Sequence, residues 1–158
     1  AMAMQVEGDD QLSRPTVFAT HAQLLALTGD AEAASVARQA IDLANERGET
    51  PPLVMAYSAL GLAMDESDAA LGAADSALSL VTDEALERFH RPAMAWCVRA
   101  RVAFEQGRVG DAQEAAERAI AIAEAGAESG VLVLAEVVRA RALHLLELHA
   151  PHVAQAPE

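Results

Sequence analysis

Three stretches of the chain carry apolar residues at i, i+3, i+4, i+7, i+8 and i+11. They are Ala33, Val36, Ala37, Ala40, Ile41 and Ala44; then Ala70, Ala73, Ala74, Ala77, Leu78 and Val81; then Ala112, Ala115, Ala116, Ala119, Ile120 and Ala123. That spacing is the buried stripe of an amphipathic helix. Each stripe follows another helical segment. The first starts at Pro15, which suits a first turn because its missing N–H costs nothing there. Val17, Phe18, His21, Leu24 and Leu25 are expected to form its inner face. The second spans 53–64, with Tyr57, Leu60, Gly61 and Met64 on one side. The third carries Trp96, Ala100 and Ala103 on one stripe. A last, longer helix is expected over 131–148, with Leu134, Ala135, Val138, Ala142, Leu145 and Leu146 inward.

Turn signals separate these segments. Thr28-Gly29-Asp30 ends the first helix, and Asp30 is a candidate N-cap for the next. Gly48 is a candidate C-cap, with Pro51-Pro52 expected to close the loop. Asp65-Glu66-Ser67 makes the next turn, Gly107 breaks the third hairpin, and 126–130 precedes the last helix. The connector 82–91 is expected to hold a short extra helix or to extend the following one before Pro92.

The hairpins recur. Their stripes begin at Ala33, Ala70 and Ala112, at spacings of 37 and 42 residues. Val98-Arg99-Ala100-Arg101 returns forty residues later as Val138-Arg139-Ala140-Arg141. A self-similar helical period of this size marks a stack of repeats. The final helix therefore reads as the first helix of a fourth repeat, either a C-terminal cap or one cut off from a longer chain. Residues 1–14 are expected to be a loose arm whose first three residues look like a cloning remnant. Residues 15–149 are expected to form the helical domain, whose last helix Pro151 stops, and 150–158 a polar tail.

Composition narrows the function classes. Of 158 residues, 53% are hydrophobic but only 3% aromatic, so the core must be built from Ala, Leu and Val. Small side chains favour closely packed helices over a sheet. The net charge is -13 and all eleven basic residues are arginine. Such a surface argues against nucleic acid and against an anionic membrane as direct partners. Cys97 is the only cysteine, so no intrachain disulfide exists, which fits a cytoplasmic setting. No apolar run approaches the roughly 18 residues of a membrane span.

The third hairpin resembles a tetratricopeptide repeat. Trp96, Ala100, Gly107, Ala112 and Ala119 stand in that family's spacing, with Ile120 following. In the second hairpin Ser58, Ala70, Ala77 and Leu78 fit while Asp65 replaces the turn glycine; in the first, Ala22 and Gly29 fit. The resemblance implies an all-α fold, a right-handed superhelical α-solenoid of about three hairpins plus the capping helix. The loose period and the alanine-rich helices are similar to the repeats of large bacterial LuxR-type regulators and antibiotic-pathway activators.

The same resemblance implies a function: a scaffold that binds a peptide or helix of a partner protein in its concave groove. By the third hairpin, the groove positions are Met94, Cys97, Arg101, Phe104 and Glu105, and the repeated motif adds Arg141. Two guanidiniums one repeat apart could grip a carboxylate of the partner. Pairing of each with Glu105 or Glu136 on a solvated face is the competing reading. Trp96 is expected in the core. Leu145, Leu146 and Leu148 on the last helix suggest self-association as a homodimer. A ligand-sensing segment of a transcription regulator is the alternative. No enzyme is expected, since no nucleophile–base pair is visible. Neither a cofactor nor a metal is expected: His144, His149 and His152 do not share the i, i+4 spacing of a helical ligand pair.

Overall fold

The computed structural model describes residues 13–81 and 91–149. Among these residues it is all-helical, with seven helices and no strand. They are α1 (Arg14–Thr28), α2 (Ala33–Arg47), α3 (Thr50–Ala63), α4 (Ser67–Ser79), α5 (Ala93–Glu105), α6 (Val109–Gly126) and α7 (Ser129–His149). None of them is long and apolar enough to cross a membrane. The expected helical connector falls at 82–91, of which only Arg91 is within the described residues. Residues 1–12 of the expected arm, His152 and the polar tail also lie outside them, while Ser13 and Arg14 belong to the cap and first turn of α1.

Local chemistry sets the helix ends. The Ser13 hydroxyl accepts the Thr16 N–H at 3.3 Å and so caps α1. Gly29, Gly48 and Gly107 adopt φ of 73°, 66° and 74°, the left-handed conformation that closes α1, α2 and α5. The N-cap of α2 is Glu32, without a side-chain cap, and not Asp30; Asp30 Oδ1 accepts Glu32 N–H at 2.9 Å in the turn before the helix. Pro51 and Pro52 do not close a loop. They occupy the first turn of α3, where no intrahelical donor is needed. After α6 the left-handed residue is Ala127, φ 54°, and not a glycine.

Each helix packs on the next, α4 on α5 included. In addition α1 packs on α3, α3 on α5, and α5 on α7. The odd-numbered helices thus form one layer, and α2, α4 and α6 lie against it. The contact stripes are almost pure alanine: Ala33, Ala37, Ala40 and Ala44 on α2; Ala70, Ala73, Ala74 and Ala77 on α4; Ala112, Ala115, Ala116, Ala119 and Ala123 on α6 are all buried. Methyl groups at the contact let axes approach closely. Helix α3, gripped by four neighbours, is buried on most sides.

Close packing overturns the expected inner face of α1. Its buried residues are Pro15, Ala19, Ala22 and Ala26. Val17 and Leu24 are 49% and 59% exposed. The small residues, which permit contact with α2 and α3, won the interface; Val17, His21 and Leu24 were turned outward, while Phe18 and Leu25 are half-buried against the core. Helix α7 follows the same logic. Val131, Ala135, Val138 and Ala142 are buried, while Leu134 and Leu145 are half-buried and Leu146 is exposed.

Candidate functional site

The expected groove wall is closed at its centre. Met94 and Cys97 are fully buried. They belong to a core shared by α1, α2, α3, α5, α6 and α7, against which Leu25, Leu27, Leu132 and Leu134 also pack. The end of α1 reaches the start of α7: a Cβ on Gly130 would stand 3.1 Å from Leu27 Cδ1. First and last repeats therefore meet over Met94 and Cys97, so neither residue can line an open groove. Sequence reasoning missed this because the closing contact joins residues about a hundred positions apart.

Cys97 has no reactive character. Burial, and then the nearby charge of Glu128, push its thiol up to about 12. It stays protonated and donates to Val131 O at 3.7 Å. Glu128 itself is pushed up to about 7 by burial, against the pull of Arg91. Its Oε1 is buried without a hydrogen-bond partner among the described residues.

Arg101 and Arg141 have different fates. The Arg101 guanidinium donates from Nη2 to Gly61 O at 3.1 Å and to Met64 O at 2.8 Å. Its Nε lies 3.9 Å from Glu105, which in turn accepts the Ser67 hydroxyl at 3.3 Å. Met64 is extended, so α3 ends without the glycine cap seen at α5, and its last carbonyls need another donor. Arg101 supplies it. Arg141 is exposed and makes no ion pair among the described residues. Phe104 is half-buried against Ala103, Ala112 and Ala142. The six expected groove residues thus divide among core, helix cap and free surface.

An open site lies on the other side of α5. A cleft of about 1020 Å³ lies between α4 and α6. Leu71 forms one side, Trp96, Arg99 and Ala103 the floor, and Arg108, Glu114, Ala115 and Arg118 the other side. Trp96 is half-buried: its ring packs on the core as expected, and it also reaches the cleft. The Arg99 guanidinium sits 5.4 Å over the indole, a cation–π contact, and Asp75 on α4 holds its Nε at 3.1 Å. Three of the eleven arginines gather here on a chain of charge -13, interleaved with Asp111, Glu114 and Glu117. The signal for this site was present: Arg99 stands three residues after Trp96, hence on the same helix face. Among the described residues no group of acidic, histidine and cysteine side chains is placed to hold a metal.

Comparison with family models, curated proteins and solved structures returns no match. The functional reading therefore rests on the chain's own repeats and surfaces.

Proposed function

We propose that this chain is a non-catalytic protein-interaction module, a solenoid of tetratricopeptide-like hairpins that holds a peptide or helix of a partner protein. The order of packing supports the solenoid reading, since each odd-numbered helix contacts the odd-numbered helix before it. The working surface is the cleft between α4 and α6, in place of the concave wall, where Met94 and Cys97 are covered.

The cleft is the observation that carries this reading. Its floor sets Trp96 and Ala103 beside Arg99, its α4 side is the apolar Leu71, and its α6 side carries charges of both signs. That composition matches the anchors of protein interfaces, where tryptophan and arginine are enriched. A partner segment with apolar residues on one face and carboxylates beside Arg99 and Arg118 complements it. The setting proposed is the reducing cytoplasm, where the lone buried thiol is stable.

Trp96 is the sole tryptophan, so the fluorescence comes from one ring that reaches the cleft. Peptides selected from a displayed library against the whole chain should shift that emission on titration. Leu71→Glu and Arg99→Glu should each abolish the shift while the helical circular dichroism is kept. Selected peptides that bind both variants as well as the original chain would overturn the cleft as the working surface.

A further inference from the structure

We propose that the outward face of α7 is where two copies of this chain meet, as a parallel helix pair. This surface is separate from the cleft, and the two readings stand or fall independently.

Among the described residues, Val133, Val137, Leu143, Leu146 and Leu148 are five of the seven large hydrophobics left exposed; the other two are on α1. The side of α7 that faces the core carries Val131, Ala135, Val138 and Ala142. The opposite side carries Val133, Val137, Ala140, His144 and Leu148, all exposed. This stripe is roughly 22 Å long. Its first four members are spaced 4, 3 and 4 apart, the alternation of a two-stranded seam. Val137 and His144 then take the a positions, and Val133 and Ala140 take d.

That register decides the partner and its direction. Glu136 and Leu143 fall at g, Arg141 and Leu148 at e. In a parallel pair each g residue faces the e residue five positions on in the other helix. Glu136 then meets the partner's Arg141, and Leu143 meets the partner's Leu148, twice over by symmetry. An antiparallel pair on the same stripe sets Arg141 against its own counterpart, a like-charge contact. The second copy is therefore complementary in charge, with a seam that is apolar apart from His144. Arg141 is available for it, since it has no ion pair within its own chain among the described residues. Glu136 is oriented on its flank by Arg139 at 2.6 Å.

The test is mass in solution across concentration, by light scattering and sedimentation of the full chain. The expected result is a rise from one chain mass to two, without larger species. Val137→Glu should hold the chain at monomer mass with its circular dichroism unchanged, because the side chain is exposed. Should that variant unfold, Arg141→Glu tests the same interface from an exposed position through a weaker dimer. Glu136→Arg or Arg141→Glu alone should weaken the dimer about fivefold, and the double reversal should restore it. Leu24→Glu, on α1, should leave it unchanged. A chain that stays monomeric at all concentrations overturns the proposal. So does a dimer indifferent to Val137→Glu, a double reversal that does not recover, or loss of the dimer through Leu24→Glu.

Discussion

The same four residues, Val-Arg-Ala-Arg, occur on α5 and on α7, and the fold uses them differently. Val98 and Val138 are both buried, so both copies face the core in the same register. The arginines part ways. On α5, Arg99 crosses to Asp75 on α4 and Arg101 crosses to the end of α3. On α7, Arg139 pairs with Glu136 on its own helix, and Arg141 is exposed with no ion pair among the described residues. The cause lies one repeat earlier. The end of α3 leaves carbonyls for Arg101 to cap, whereas the end of α5 is already closed. There Gly107 is left-handed and the N–H groups of Gly107 and Arg108 bond Phe104 O and Ala103 O at 3.0 and 2.8 Å. A glycine at one turn thus releases an arginine forty residues along the repeat. A repeated motif specifies position, while the neighbouring turn determines whether the position has work to do.

Breaking the cap on α3 should have the largest effect. Arg101→Ala removes two charge-assisted bonds to partly buried carbonyls and should cost about 3 kcal/mol in urea unfolding. Arg141→Ala, measured beside it, should change stability by less than about 0.5 kcal/mol. Equal losses for the two would refute the contrast. Gly61→Ala should follow. The added Cβ would stand 2.9 Å from Ala70 O and 3.3 Å from Val98 Cγ1, so α3 must move off α4 and α5. The net cost should be about 2 kcal/mol after the better helix propensity of alanine is counted. A neutral result would mean that the close approach of these helices has slack.

Gly107→Ala probes the other turn. At φ 74° alanine is strained, with open space around the new Cβ, so the expected cost is about 1 kcal/mol from backbone conformation alone. An unaltered midpoint would show that α5 does not depend on this cap. The smallest effect is one of pH. Glu128 lies beside Cys97 where α7 begins, and its folded pKa of about 7 exceeds its ordinary 4.5. The folded chain then binds the proton more tightly than the unfolded one. This contribution to stability is full below 4.5 and is lost as pH rises through 7. Glu128→Gln should flatten that part of the profile of midpoint against pH, and an unchanged slope would assign it to another group.

Much of this architecture was legible in the residues. The stripes at Ala33, Ala70 and Ala112 located the second helix of each hairpin, and their members are buried or half-buried as expected, because burial on a helix follows a local periodicity. Gly29, Gly48 and Gly107 marked helix ends for the equally local reason that left-handed backbone favours glycine. Local pattern failed on α1. Val17 and Leu24 look like core by hydrophobicity, yet alanines made the contact. It failed again at the site. Met94 and Cys97 occupy family groove positions, but Leu27 and Gly130 bring the first and last repeats together over them.

What the chain itself determined is the set of helices, their ends and the repeat that relates them. Each depends on residues within about four positions of one another, through hydrogen bonds and backbone dihedrals. The tertiary structure alone decided which apolar residues are covered, that Arg101 caps a helix 37 to 40 residues away, and that the open cleft lies over α5 beside Trp96. These outcomes depend on how closely alanine-lined helices approach and on which distant carbonyls still lack a donor. No local pattern encodes either quantity.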